Sequence, residues 1–186
     1  VSERRAFLLR AGATAFMMPA LLGAHKSGDD GGWHHVHGPN GLALSTKTPL
    51  DLSFPLLDGQ TFHLTDVRGK VVFVNLFATW CGPCRDEFAT LADFAAAHSD
   101  DTVVVSVDVG ENPNLVRLFA HQESIGFPMG FDTDSAIYAR IKMERYPTTL
   151  ILRPDGRLSC AFVGEMTRAY LEDERRFALS VEADRS

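Results

Sequence analysis

Residues 71–77 read VVFVNLF, seven residues with a single polar member, Asn75. A run this apolar has no wet face, so it fits a strand covered on both sides. Covering both faces takes helices, and the chain provides them. From Pro83 onward, Phe88, Leu91, Phe94 and Ala95 recur at spacings of three and four, which lays one apolar stripe along a helix with the charges opposite. The alternation then repeats. DTVVVSVDV, Asp101 to Val109, predicts a second buried strand, and NPNLVRLFAHQESIG predicts a helix with Asn112 as N-cap and Pro113 at its first position. Strand, helix, strand, helix implies a parallel sheet core.

The flanks are antiparallel in character. LDLSFPLLDGQTFHL predicts a hairpin turning at Asp58-Gly59, where glycine supplies a positive φ. TTLILR and LSCAFVG, joined by PDGR, predict a second hairpin, and TRAYLEDERRFALSVE predicts a closing amphipathic helix. No internal repeat is present. The expected fold class is α/β, a mixed central sheet flanked by helices with a β-hairpin extension ahead of it.

With 186 residues, 45% of them hydrophobic, the chain suits one domain plus a tail. Its 24 acidic and 18 basic residues include no Lys/Arg block, which argues against a nucleic-acid partner. Residues 1–24 have the character of an export signal. Arg4, Arg5 and Arg10 precede a mildly apolar stretch, and the paired arginines followed by Ala6, Phe7 and Leu8 resemble the twin-arginine pattern, with Glu3 departing from it. The stretch is shorter than the about 20 residues that span a bilayer. Cleavage near Gly23–Ala24 is expected, and an uncleaved anchor is the alternative. Residues 25–49, rich in Gly, Ser and Asp, read as a flexible linker before a folded domain of 50–186. Within the linker, His34, His35 and His37 form a weak candidate metal site, set against the plainer reading of solvated imidazoles.

Cys81 and Cys84 are two residues apart, between the first long strand and its helix. Cys81 is expected at the strand end and Cys84 in the first helical turn, where unpaired N–H groups and the helix dipole favour a thiolate. A two-residue spacer lets the second sulfur displace a mixed disulfide, so the pair can cycle between dithiol and disulfide. Zinc ribbons also use Cys-x-x-Cys, but they need a second ligand pair, and Cys160 stands alone. Cys160 itself reads as a buried small residue on an edge strand.

Trp80-Cys81-Gly82-Pro83-Cys84 matches the active-site motif of the thioredoxin superfamily, and VNLFATWCGPCRDEF resembles exported TlpA/ResA-type disulfide reductases more than cytosolic thioredoxin. The resemblance covers roughly residues 50–180 and implies a thioredoxin-like fold with no cofactor beyond the Cys81–Cys84 disulfide. RYPTTLILRPDG resembles the cis-proline segment, which makes Pro147 the cis-proline facing the cysteines and places substrate contacts at Trp80, Tyr146, Pro147 and Thr148. Thioredoxin has Asp where this chain has Asn75. Glu87, three residues after Cys84, matches a Glu of such relatives, and the resemblance implies a group able to accept a proton from the buried Cys84 thiol through water, set against the plainer reading of a solvated helix carboxylate. Arg85 and Asp86 read as solvated. Ala89 stands where relatives often carry proline, which puts their helix kink in doubt.

The resemblance implies a periplasmic or other extracytoplasmic protein-disulfide reductase acting on disulfide-containing partner proteins. Apocytochrome c or copper-site cysteines are the expected substrates, a membrane thiol donor of the CcdA or DsbD kind re-reduces the enzyme, and the chain is expected to be monomeric. A dithiol oxidase and a copper-binding chaperone using the His-rich linker are the alternatives. Gly82-Pro83 points away from the first, and the two-residue spacer is one short for the second. Peroxidase chemistry is disfavoured because Ala78 stands three residues before Cys81, leaving Thr79 out of register.

Overall fold

The computed structural model describes residues 33–34, 44–45, 48–141 and 145–183. The export segment therefore lies outside the described residues, as do His35 and His37. Within the segment read as a linker, β1 (Trp33–His34) pairs antiparallel with β2 (Leu44–Ser45).

The domain is built on a five-stranded sheet in the order β7-β6-β5-β8-β9. The predicted first long strand, β5 (Val71–Phe77), lies at its centre and is buried along its whole length. It runs parallel to β6 (Thr102–Val109), which runs parallel to β7 (Met129–Asp132); on the other side it pairs antiparallel with β8 (Thr148–Leu152), and β8 with β9 (Leu158–Val163). The predicted sheet core and both predicted hairpins are therefore present. β7 and the short α3 (Ala136–Ile141) lie in a stretch where the residue pattern predicts no regular element.

Alternation along β5 sorts its side chains into two cores. Val71, Phe73 and Phe77 pack with α1 (Gly82–Ala97), α2 (Pro113–Gln122) and α4 (Arg168–Ala183). Val72, Val74 and Leu76 face Ile137 and Ile141 of α3 and the hairpin of β3 (Ser53–Pro55) and β4 (Thr61–His63). Aromatic edges fill the first core: Phe73 meets Phe94 and Phe77 meets Phe88, each at 5.1 Å between ring centroids. Each fully buried large apolar side chain of this kind contributes about 1.5–3 kcal/mol. Asn112 caps α2 as predicted, accepting from Asn114 N–H at 2.9 Å, although the helix stops at Gln122. α1 runs for 16 residues without interruption through Ala89.

The β3–β4 hairpin turns where predicted, with Gly59 at φ 90°. It closes the second core by seating on β7, where Leu57 N–H donates to Met129 O at 2.9 Å. Gly130 makes that seat fit, because a Cβ there would lie 2.6 Å from the Phe54 ring and 2.7 Å from Pro55 O. Among the described residues no helix is long and apolar enough to cross a membrane.

Candidate active site

The two cysteines sit at the carboxyl end of β5, where a parallel sheet leaves a crevice between strand ends and helix N-termini. β5 stops at Phe77, where the apolar run ends, and a turn closed by Cys81 N–H donating to Ala78 O (3.0 Å) carries the chain into α1. Cys81 is therefore the N-cap of α1 rather than the strand's last residue. Its Sγ accepts the N–H of Cys84 at 3.3 Å, taking the place of the oxygen that usually caps a helix. Gly82 and Pro83 open the helix, where a missing proline N–H leaves nothing unsatisfied.

The pair forms a disulfide, with the Cα atoms 5.3 Å apart. Cys84 is wholly buried and Cys81 is 5% exposed, so an incoming sulfur has its access through Cys81. Trp80, 71% exposed, stands beside it and meets Tyr146 edge-on at 5.5 Å. The Tyr146–Pro147 peptide is cis, as expected for that segment. Pro147 O accepts from Gly164 N–H at 2.8 Å. Thr148 is buried and donates its hydroxyl to Arg145 O at 2.7 Å, which commits that group within the chain.

Behind the disulfide lies Glu87, one turn from Cys84 on the buried face of α1. It is 0% exposed, so it is no solvated helix carboxylate. Oε1 accepts from Asn75 Nδ2 at 2.7 Å, and Oε2 from Met166 N–H at 3.0 Å. Asn75 also donates to Thr149 Oγ1 at 3.1 Å and accepts from Ser106 Oγ at 2.9 Å. Ser106 and Thr149 are the register partners of Asn75 on β6 and β8, so a polar rung crosses the three central strands and ends at Glu87. Burial pushes the Glu87 carboxyl up to about 7, against the pull of its Met166 and Asn75 hydrogen bonds. A carboxyl held there can take or give a proton near neutral pH.

Several nearby groups depart from their expected roles. Arg85 pairs with Glu123 and lies over the Phe119 ring at 5.7 Å, so it is tied down rather than simply solvated. Cys160 is only partly buried by surface, and its thiol donates to Glu174 Oε2 at 3.2 Å; burial and that carboxylate push the thiol far up, which keeps it inert. Sequence reasoning missed Ser106, Asp108, Glu111 and Thr149. Polar residues inside otherwise apolar strands were the available signal for three of them. Among the described residues no group of three or more His, Cys, Asp or Glu could hold a metal ion.

Comparison with known proteins agrees with this geometry. Residues 46–160 match the model of the AhpC/TSA family. Thiol-disulfide oxidoreductase ResA of Bacillus subtilis is 32% identical over 117 residues, 62% of this chain and 65% of the relative, so the chain spans a little under two thirds of that protein. Thioredoxin-like protein YneN of Bacillus subtilis is 34% identical over 137 residues, 72% of this chain and 79% of the relative. Among solved structures, a thiol:disulfide interchange protein DsbE from Chlorobium tepidum superposes with a TM-score of 0.64 at 25% identity, over 69% of this chain and 93% of that one. A helix-capping disulfide on a thioredoxin-like sheet, together with these matches, shows that the chain belongs to the AhpC/TSA family, alongside its thioredoxin-like thiol-disulfide oxidoreductases.

Proposed function

We propose that this thioredoxin-like oxidoreductase reduces disulfides of partner proteins outside the cytoplasm. The observation that carries the reading is the arrangement at the head of α1: Cys81 Sγ accepts a helix N-terminal N–H, with Cys84 buried behind it and the Glu87 carboxyl behind both. In the reduced enzyme the Cys81 thiolate is stabilised by that N–H and the helix dipole. It attacks one sulfur of the substrate disulfide; that bond breaks, one substrate thiolate leaves, and a mixed disulfide forms. Cys84 gives up its proton towards Glu87 and attacks Cys81 Sγ, releasing the second substrate thiol. Two electrons pass to the substrate, and the Cys81–Cys84 disulfide remains.

Trp80 and Tyr146 flank the sulfurs as an aromatic edge for an extended substrate segment, beside the backbone of Pro147. The arginine-led apolar segment at the amino terminus supports export. A membrane thiol donor of the CcdA or DsbD kind then recharges the enzyme, and cysteines of apocytochrome c or of copper sites are the expected cargo. Replacing Cys84 with Ser tests the mechanism. The variant should accumulate a covalent complex with its partner, resolved by dithiothreitol, and a reduced Cys84→Ser protein that captures nothing from an extracytoplasmic extract would sink it.

A further inference from the structure

The turn that carries Cys81 is held from one side by a pair of acids. Thr79 lies between the end of β5 and the N-cap, and Glu111 grips it twice: Thr79 N–H donates to Oε2 at 2.6 Å and the Thr79 hydroxyl to Oε1 at 2.8 Å. Both oxygens of one carboxylate are thus engaged by a single residue two positions ahead of the sulfur. Glu111 rests in turn on Asp108, whose Oδ1 accepts the Glu111 N–H at 3.1 Å. Asp108 lies beside Phe77 in the parallel register of β5 and β6 and is wholly buried; its Oδ2 has no hydrogen-bond partner among the described residues.

A buried carboxylate oxygen without a donor is costly while it is charged, and a second carboxylate beside it adds repulsion. A proton on Asp108 removes both penalties and turns it into a donor towards Glu111. Burial first, then Glu111, raises the Asp108 carboxyl well above the usual range. Burial opposes ionisation of Glu111 as well, but Asp108 and the two Thr79 bonds outweigh it and hold that carboxyl low. The pair therefore keeps one proton and one charge, and the charge lies on the oxygens that grip Thr79. Tyr146 lies within electrostatic reach of both acids, as it does of Tyr138 of α3 and Asp132 of β7, and burial first, then these neighbours, push its hydroxyl up to about 12; on β7 the guanidinium of Arg117 lies over the ring of Phe131, the register partner of Asp108.

We propose that Asp108 and Glu111, sharing a single proton, are positioning residues for Cys81: they clamp Thr79 and so set where the Trp80–Cys81 turn presents the attacking sulfur, and losing the shared proton loosens the clamp. This rests on Cys81 being the attacking sulfur. The clamp bears on Thr79, two positions ahead of the sulfur, so the effect belongs to geometry and is read as the rate per thiolate. The experiment follows attack of the reduced protein on an aromatic disulfide across neutral and alkaline pH, dividing each rate by the thiolate fraction from ultraviolet absorbance. In the parent protein the quotient should stay level near neutrality and fall on the alkaline side. Glu111→Ala should lower it about tenfold throughout, as expected when a reacting atom loses its placement. Glu111→Gln, which keeps one acceptor oxygen and preserves packing, should lower it less. Asp108→Asn fixes the pair at one charge and should abolish the alkaline fall. A Glu111→Ala or Glu111→Gln protein with the parent quotient, or an Asp108→Asn protein that keeps the alkaline fall, would overturn the proposal. Cys81→Ser separates the two readings. If it still reacts like the parent, the attacking-sulfur assignment falls and the clamp with it; if it is inert, the acid variants bear on the clamp alone.

Discussion

The two ends of the central sheet treat their carboxylates in opposite ways. At the carboxyl ends of β5 and β6, Glu87 and Asp108 are fully buried and form no ion pair among the described residues, and both carboxyls are pushed up by burial. At the other end, Asp101 is bound by Arg175, and Glu172 lies 2.9 Å from His98 Nε2 and 2.8 Å from Arg168 Nη2; these partners hold both carboxyls low. The paired end docks α4 against α1 and β6. Glu87 and Asp108 lie at the end that carries the disulfide, where the ion pair of Arg85 and Glu123 involves neither of them. A cation beside Glu87 would fix it as an anion and remove its use as a proton acceptor near neutral pH, whereas α4 needs only attachment. On the proposed mechanism, charge compensation is placed where α4 must hold and withheld from the carboxyl that moves a proton.

Four substitutions test that contrast, in order of expected effect. Cys81→Ala should abolish disulfide reduction, by more than about a thousandfold, as loss of a nucleophile does; insulin reduction by the variant at a measurable fraction of the parent rate would break the contrast at its functional end. At the opposite end, Phe94→Ala empties a fully buried site packed on Phe73, and Arg168 lies over its ring at 5.3 Å. It should cost about 3–5 kcal/mol in urea unfolding while the folded fraction keeps its activity.

Glu87→Gln comes next and reads out as a pH dependence. Because the folded carboxyl titrates at about 7, above its ordinary value of 4.5, its contribution to stability is complete below pH 4.5 and is lost as pH rises through 7, a swing of about 3 kcal/mol. The parent should therefore lose stability over that window relative to Glu87→Gln, and parallel curves would show that Glu87 is ionised throughout.

The paired end has the reverse sign. Asp101 and Glu172 are depressed, so their contribution is present above the ordinary carboxylate range and is lost as pH falls through the folded values. Arg175→Ala should flatten that acid limb, with a cost near neutral pH below about 1 kcal/mol that shrinks further in salt, since Asp101 is 38% exposed. A larger, salt-independent cost would mean that packing of the Arg175 stem, rather than its charge, holds α4.

What could be read in the residues was whatever depends on short-range pattern. Period and composition gave the alternation of strands and helices, the Asn112 cap and the Asp58-Gly59 turn. The motif around Cys81 and Cys84 gave the redox pair and, by resemblance, the cis bond at Pro147. Glu87 was half legible: its place at the spacing of Cys84, Leu91 and Phe94 puts it on the apolar face of α1, but a carboxylate there is ordinarily excluded by its desolvation cost. β7 and α3 escaped because both are short and the strand carries Gly130, whose reason is the hairpin seated on it.

Tertiary structure alone decided which polar residues meet. Asn75, Ser106 and Thr149 lie far apart in the chain, and only the register of three strands lines them up into a rung that ends at Glu87. Asp108 and Glu111 reach Thr79 for the same reason, across a parallel pair whose register no local pattern specifies. Local sequence fixes which face of an element is apolar through the 3.6- and two-residue periods. The pairing of buried polar groups depends on contacts between distant segments, and so do the proton affinities that follow from it.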